Sequence, residues 1–245
     1  MAFDMSREAE YFSVPELQTL TGQPRQRFVS VVVKELLDNA LDACETAGVA
    51  PVLHVSWTPE PTSELAQLTV VDNGAGIPGE LVHRIFNFAN RTSDKAVYRA
   101  PTRGAQGNAL KTVLGIPWAL GVRGPLLIEA QGRRHMVTAH VNPAGHVHIE
   151  HQDTATSRQP GTRVALCLPH AARDVTLTYW GRAFAAFNPH LSVQICEGAH
   201  PESACSPFTM RTDTDGLWGF LPIDGHLSWR VAQISPHRSH LRLVV

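Results

Sequence analysis

The most informative segment of the chain is KELLDNALDA, residues 34–43. It lies in a longer segment whose apolar residues recur at three- and four-residue steps, which predicts a helix from about Gln26 to Ala47. Glu35 and Asn39 are four residues apart, so both project from one face of that helix. A carboxylate can orient and deprotonate water, and an amide oxygen can ligate magnesium. An ordinary amphipathic helix with a polar stripe is the competing interpretation.

A second motif follows a strand-like run, Leu65–Val71, and reads DNGAGIP at residues 72–78. Asp72 at the strand end can accept a hydrogen bond from an amino group on a base. Gly74 and Gly76 allow a tight turn and the close approach of a flat ring. Taken alone, the motif is an equally good hairpin turn without a ligand.

A third motif, RGAQGNALK, occupies residues 103–111. Gly104 and Gly107 expose backbone N–H groups where a helix, Asn108 to about Leu114, is predicted to begin, and phosphate is favoured at such a position. The motif is not a P-loop, because leucine rather than glycine precedes Lys111.

The three motifs in this order predict an ATP site. Metal and water chemistry comes from a helix, base recognition from a strand end, and phosphate binding from a loop-to-helix junction. A polar segment before that junction, residues 90–102, is predicted to be a mobile lid. Thr162, in the sequence GTRV, can hydrogen-bond the adenine edge or a water beside it, although a plain strand start explains that segment alone somewhat better.

Helical and strand-like segments interleave, and several strands are joined by hairpins. This pattern favours an α/β fold, a two-layer sandwich of helices on a mixed, largely antiparallel sheet, over a doubly wound parallel sheet. We predict an N-terminal arm at residues 1–25, an ATP-binding domain at 26–200 and a small C-terminal extension of unassigned fold at 201–245. The strand-like run His240–Val245 suggests a truncated chain.

Composition excludes several classes of protein. The 245 residues are 43% hydrophobic and 18% charged, which excludes disorder and a coiled coil. The formal net charge of -1 gives no general attraction for nucleic acid. No leader peptide or long apolar run is present, so we expect a cytoplasmic protein without a membrane partner.

Thirteen histidines raise the question of a transition-metal site. His146, His148 and Glu150 alternate and would share one face of a strand. No recognised ligand spacing accompanies them, so a solvated strand face is the preferred interpretation.

The three motifs resemble the N-box and the two glycine boxes of the GHKL ATPase superfamily, which has the Bergerat fold. Within it, the chain most resembles the B subunit of topoisomerase VI. That likeness rests on FSVPEL at 12–17, similar to an N-terminal strap, on DNALDACETAG at 38–48, and on FNPH at 187–190. It covers roughly Phe12 to Cys196.

The resemblance implies that Glu35 is the general base, that Asn39 is the magnesium ligand and that Asp72 recognises adenine. Gly74 and Gly76 would shape the base pocket. The full set of implied nucleotide-binding residues is Asn39, Asp72, Gly74, Gly76, Ile77, Gly104, Gln106, Gly107, Asn108, Lys111 and Thr162, of which Gly104, Gln106 and Gly107 would hold the phosphates.

The resemblance also implies a magnesium-dependent ATPase that forms a homodimer on binding ATP, with a topoisomerase VI A-like cleavage subunit as partner and DNA handled through it. One alternative is a nucleotide sensor without turnover. It is favoured by the absence of any lysine after Lys111 and by Asn108-Ala109, where the family has a glycine. A histidine kinase ATP-binding domain is a weaker alternative, because little chain precedes the N-box helix to form a helical dimerisation domain.

Overall fold

The computed structural model describes residues 7–86, 109–142, 145–157 and 160–198, and the backbone of five strand segments after residue 204. The helices are α1 (Val14–Thr21), α2 (Phe28–Thr46), α3 (Gly79–Ile85), α4 (Ala109–Ala119) and α5 (Leu177–Phe187). Short 3-10 helices lie at Arg7–Phe12, Arg25–Arg27 and His170–Ala172. The strands are β1 (Val52–Pro59), β2 (Leu65–Val71), β3 (Leu126–Ala130), β4 (Arg133–Val141), β5 (Val147–Ala155), β6 (Thr162–Pro169), β7 (Ser192–Glu197), β8 (Cys205–Thr209), β9 (Thr212–Asp213), β10 (Gly216–Ile223), β11 (Ser228–Ile234) and β12 (Leu241–Leu243).

The main sheet has eight strands in the order β5-β4-β3-β6-β2-β1-β7-β8. Every neighbouring pair in it is antiparallel except β1 and β7, which are parallel. The predicted mixed, largely antiparallel sheet is therefore confirmed. Strands β9 to β12, from the segment to which the sequence assigned no fold, form a separate antiparallel sheet in the order β12-β11-β10-β9.

Helices cover one face of the main sheet. Along β1 the side chains of Leu53, Val55 and Trp57 are buried, whereas those of Val52 and His54 are exposed. This period of two is expected of a sheet with one face in the core and the other in water. Burying a large apolar side chain contributes about 1.5–3 kcal/mol, so this alternation fixes which face the helices cover. The two-layer α/β sandwich is confirmed.

The N-box helix α2 begins at Phe28 and ends at Thr46, close to the predicted limits. Its apolar residues pack into the core, and its ends are tied to the region around α5. Ser30 Oγ donates to Asp174 Oδ1 at 2.8 Å, and His190 Nε2 lies 2.9 Å from Glu45 Oε1. The FNPH segment therefore connects the end of α5 to the end of α2.

Helix α4 differs from the sequence prediction, which ended it near Leu114. It continues to Ala119 and includes Pro117, which lacks a backbone N–H. Ile116 and Pro117 are both buried, so tertiary packing outweighs the low helix propensity of glycine and proline here. A Cβ on Gly115 would lie 1.7 Å from the carbonyl oxygen of Tyr11, so this glycine lets the N-terminal 3-10 helix pack directly on α4.

The sequence pattern predicts a helix at Asp174–Phe187, whereas α5 begins at Leu177. Thr176 is its N-cap, and the Thr176 hydroxyl accepts a hydrogen bond from the Tyr179 N–H at 3.3 Å. Glu197 Oε1 accepts another from the Leu177 N–H at 2.5 Å. Capping therefore sets a start that apolar periodicity alone placed too early.

The β4–β5 hairpin is longer than the strands His135–Val141 and Val147–His151 that the sequence pattern predicts. Its strands begin at Arg133 rather than His135 and end at Ala155 rather than His151, and they pair along their whole length from Arg133↔Ala155 to Val141↔Val147. None of the helices in the described part of the chain has both the length and the apolar character needed to cross a membrane.

Candidate functional site

Asp72 lies directly after β2 and is buried, with 7% of its surface exposed. Its Oδ1 accepts hydrogen bonds from the Gly74 N–H at 2.8 Å and from the Thr162 N–H at 3.1 Å. The backbone N–H of Asp72 in turn donates to the Thr162 carbonyl at 2.9 Å. The carboxylate is therefore held in one orientation by backbone groups, with its negative charge stabilised by two N–H donors.

The start of β6 forms the wall beside Asp72. Gly161 has φ of +84°, and a Cβ there would lie 1.9 Å from the Asp72 carbonyl oxygen. Only glycine combines this backbone conformation with so close an approach. Among the described residues, Thr162 Oγ1 is one of the few buried polar atoms without a hydrogen-bond partner. A buried unpaired hydroxyl costs about 1–3 kcal/mol, so this position is suited to a polar ligand.

The segment DNGAGIP, residues 72–78, is called the glycine loop here and packs directly on the N-box helix α2. A Cβ on Gly74 would lie 2.8 Å from the carbonyl carbon and 2.9 Å from the carbonyl oxygen of Ala43. Ala43 follows Asn39 by one helical turn and Glu35 by two, so the three share a stripe of α2. At 1.5 Å per residue, Asn39 lies about 6 Å and Glu35 about 12 Å along the helix axis from Ala43. The structure thus brings Asp72 to one end of the stripe that carries the predicted metal and water chemistry.

Asn73 anchors the same loop, a role that the sequence analysis did not assign. Its Oδ1 accepts from the Val52 N–H at 2.8 Å and from Cys44 Sγ at 3.1 Å, and its Nδ2 donates to the Ala50 carbonyl at 3.0 Å. The loop is therefore joined both to the end of α2 and to the start of β1.

Gln131 is a second residue that the sequence analysis missed. It forms the β3–β4 turn with Gly132, and both have positive φ, +47° and +75°, as a type I′ turn requires. Its side chain donates from Nε2 to the Ala75 carbonyl at 3.1 Å, and its Cγ would lie 3.0 Å from a Cβ on Gly76. Ile77, which follows Gly76, is half-buried and packs on the core. The position of Gln131 in a two-residue hairpin was readable from the sequence, but its contact with the loop was not.

Lys34 lies between two carboxylates of α2, those of Glu35 and Asp38. Lys34 Nζ lies 2.7 Å from Asp38 Oδ2 and 3.9 Å from Glu35 Oε1. Burial acts to lower the pKa of Lys34, but Asp38 and Glu35 outweigh it and hold that pKa above its usual value. Glu35 and Asn39 are both half-buried, so part of each residue remains exposed to solvent.

An ion-pair network links β3, β4 and β6 next to Thr162. Glu129, on β3, accepts from Arg134 Nε at 2.6 Å and from Arg163 Nη1 at 3.1 Å. Only 6% of its side chain is exposed. Burial acts to raise the pKa of Glu129, yet the two guanidinium groups hold it below its usual value. This network fixes the register in which Ala130 faces Thr162.

Of the nucleotide-binding residues predicted in the third motif, the structure describes only Lys111. Lys111 is buried in α4, and its Nζ lies 5.9 Å from the centroid of the Tyr11 ring. Helix α4 packs against α2. Gly104, Gln106, Gly107 and Asn108, like the lid at 90–102, lie outside the described residues.

The structure thus brings Asp72, Gly74, Gly76 and Thr162 together, with Gly74 packed against Ala43 of α2, the helix that carries Glu35 and Asn39. A fixed, buried carboxylate beside an orphaned hydroxyl suits a flat ligand with both a donor and an acceptor edge. Oxygen donors farther along the stripe suit a hard divalent cation. An α/β sandwich that brings these groups together suits a nucleotide ligand.

Comparison with known families agrees with this class. The model of the histidine kinase-, DNA gyrase B- and HSP90-like ATPase family matches residues 25–172. The chain therefore belongs to this family, the GHKL ATPases, and carries its ATP-binding domain.

Several relatives are the B subunits of type 2 DNA topoisomerase 6. The protein from Natronomonas pharaonis is 29% identical over 204 residues, which cover 77% of this chain and 24% of the relative. The protein from Pyrococcus furiosus is 27% identical and is matched over 70% of this chain and 31% of its own length. The protein from Methanosarcina mazei is 25% identical, over 87% of this chain and 36% of its own. The chain thus spans roughly a quarter to a third of the length of these relatives.

Proposed function

We propose that this domain binds ATP with magnesium and hydrolyses it, using Asp72 for the base and the α2 stripe for the chemistry. The observation that carries the proposal is the buried Asp72 carboxylate beside the unpartnered hydroxyl of Thr162. An ionised carboxylate has about four acceptor positions. Asp72 can therefore accept a hydrogen bond from the adenine amino group and keep its two backbone bonds, while the Thr162 hydroxyl donates to a ring nitrogen or to a bridging water.

The α2 stripe supports the catalytic part of the proposal. Asn39 would hold Mg²⁺ through its amide oxygen, and Glu35, one helical turn away, would orient the attacking water and accept its proton. When bound, the cation neutralises charge that develops on the phosphate oxygens. Glu35 is half-buried, with 31% of its side chain exposed, so a water molecule can reach this residue.

Calorimetric titration of ATP with and without Mg²⁺ tests the base site. A hydrogen bond to a charged group contributes about 1.5–3 kcal/mol, so Asp72→Asn is expected to weaken ATP binding by about 10- to 150-fold. Asp38→Asn, on the same helix as Asn39 but turned away from its stripe, is the matched control and should bind ATP like the wild type. Unchanged affinity in Asp72→Asn would refute the assignment.

Steady-state turnover tests the catalytic site separately. Glu35→Gln should retain ATP affinity and lose at least about 100-fold in kcat, within the range for removal of a general base. Equal turnover in wild type and Glu35→Gln would exclude Glu35 as the base. Tight binding without turnover in the wild type would instead favour a nucleotide-sensing role.

We further propose that ATP binding drives dimerisation in a topoisomerase VI-like assembly, with a cleavage subunit and, through it, DNA as partners. The support is the similarity to topoisomerase 6 B subunits and the packing of the N-terminal segment on α4 at Gly115. The predicted phosphate-binding motif directly precedes α4, so binding of phosphates there can affect the N-terminal segment through this helix. Light scattering should show a doubled mass with a non-hydrolysable ATP analogue and Mg²⁺. A monomer at saturating analogue would contradict gating.

A further inference from the structure

Three histidines that are far apart in the sequence converge next to α3. His83 lies on α3, His135 on β4 and His151 on β5, and one ring nitrogen from each lies within 4.8 Å of the others. The closest pair is His135 Nδ1 and His151 Nε2 at 3.0 Å. The rings of His83 and His151 stack at a centroid distance of 4.0 Å. These three belong to a different surface from His146 and His148, which are exposed on alternate positions of the same hairpin, as the sequence predicted for a solvated strand face.

A carboxylate lies next to two of the three histidines. Asp153 Oδ1 lies 3.7 Å from His135 Nδ1, and Asp153 Oδ2 lies 3.9 Å from His83 Nε2. Arg133 holds this carboxylate through two contacts, Nε to Oδ1 at 2.9 Å and Nη2 to Oδ2 at 2.7 Å. Asp153 is therefore oriented toward the imidazoles by a fixed partner, as is common for carboxylates that ligate or support a metal.

The cluster has a buried base and an open side. His135 is completely buried, His151 is half-buried, and 53% of the His83 side chain is exposed. Burial lowers the pKa of both buried-side rings, and with the neighbouring His83 it brings the pKa of His151 to about 4. The buried base therefore holds two of the three ligand nitrogens in place, and the open side lies at the exposed His83.

We propose that His83, His135, His151 and Asp153 form a binding site for a divalent transition metal of the zinc class, separate from the nucleotide site. Three imidazole nitrogens and one carboxylate oxygen match the ligands of tetrahedral Zn²⁺ and do not suit Mg²⁺, which prefers oxygen.

The geometry needs only a small adjustment. With Zn–N bonds of about 2.0–2.1 Å, nitrogens at tetrahedral angles are separated by about 3.3 Å. His135 and His151 are already at about this separation. His83 must approach by about 1–1.5 Å, which its exposed side chain on a short helix can do. The metal would replace the hydrogen bond between the two nitrogens at 3.0 Å. The ring that donates this bond would carry its proton on its other nitrogen instead, so both rings would bind as neutral imidazoles and no net proton would be released.

The site would have a structural consequence for the loop region. Helix α3 begins at Gly79, just after DNGAGIP, and a Cβ on Gly79 would lie 3.5 Å from His135 Nε2. A metal bridging His83 to His135 and His151 would join α3 to the β4–β5 hairpin. The metal site is therefore a function beyond nucleotide binding. It would stabilise the position of α3, the helix that directly follows DNGAGIP.

The test is a calorimetric titration of nucleotide-free, chelator-treated protein with ZnCl₂, with MgCl₂ as the comparison. We expect one zinc per chain and no heat from magnesium. Free zinc at 100 times Kd should raise the Tm by about 5–10 °C. His83→Ala removes an exposed ligand, so it should leave the metal-free Tm unchanged and weaken zinc binding by about 100-fold or more, at or above the upper range for disturbing a metal's surroundings.

His148→Ala is the matched control, because it removes an exposed histidine from β5, the strand that carries His151. It should bind zinc like the wild type. Equal zinc affinity in wild type and His83→Ala would overturn the proposal, and so would an equal loss in His148→Ala. ATP affinity measured in His83→Ala reports on the nucleotide site independently, so failure of one proposal is distinguishable from failure of the other.

Discussion

Replacing Gly161 with alanine should displace Asp72 and weaken nucleotide binding, and the structure gives the magnitude. A Cβ at this position would lie 1.9 Å from the Asp72 carbonyl oxygen, whereas contacts shorter than 3.0 Å are essentially never seen. The two segments must therefore separate by about 1 Å. Overpacking of this kind costs about 1–3 kcal/mol. The φ of +84° adds about 1–2 kcal/mol for any residue with a Cβ.

Gly121→Ala isolates the contribution of the contact. Gly121 has φ of +93°, and nothing lies within 4 Å of a Cβ built there. The Gly121→Ala variant should therefore lose only the conformational cost, about 1–2 kcal/mol of the free energy of unfolding. Gly161→Ala should lose about 2–5 kcal/mol, because the conformational cost and the overpacking add. Urea unfolding followed by circular dichroism measures both values.

Nucleotide affinity is the decisive readout. A shift of about 1 Å lengthens the bond between Asp72 and the base, so Gly161→Ala should lose up to about 1.5–3 kcal/mol, the contribution of a charged hydrogen bond, or about 10- to 150-fold in Kd for ATP. Gly121→Ala should remain within about twofold of wild type. The reasoning would be refuted if Gly161→Ala bound ATP normally, or if both variants lost affinity equally.

Named contacts support three more predictions. Thr162→Val should raise stability by about 1 kcal/mol, because it removes an unpartnered buried hydroxyl, and should lower ATP affinity by about fivefold or more; stability and affinity moving together would contradict this. Glu129→Gln should cost about 1–3 kcal/mol at pH 7. Because the folded pKa of Glu129 is lowered, its contribution is present above pH 4.5 and fades as pH falls through the folded value, so urea midpoints of variant and wild type should converge in acid; a constant gap would refute it. Gln131→Ala should weaken ATP binding by a few fold with little loss of stability, since it removes only the bonds to the glycine loop; proteolysis of the loop checks for loosening.

Local chemistry determined most of the fold. The apolar repeat of α2, the strand limits of β2 and the turn residues of DNGAGIP are properties of neighbouring residues, so the sequence alone was sufficient to predict them. The choice of Glu35, Asn39 and Asp72 as site residues also came from the sequence, because their spacing in the motifs carried the family resemblance, and it stays a prediction. Element ends were less accurate where partners lie elsewhere in the chain: Glu197 caps α5, and the packing of Tyr11 against Gly115 accompanies the longer α4.

Contacts between distant segments emerged only from the folded chain. Gly161 meets Asp72, Gln131 meets the glycine loop, and His83 meets His135 and His151, although no spacing in the sequence connects them. Strand order and register fix these contacts, because in the sheet β5-β4-β3-β6-β2-β1-β7-β8 strand β6 lies beside β2 and β4 beside β5. Helical and strand periods report which face a residue takes, whereas its partner on that face depends on non-local pairing.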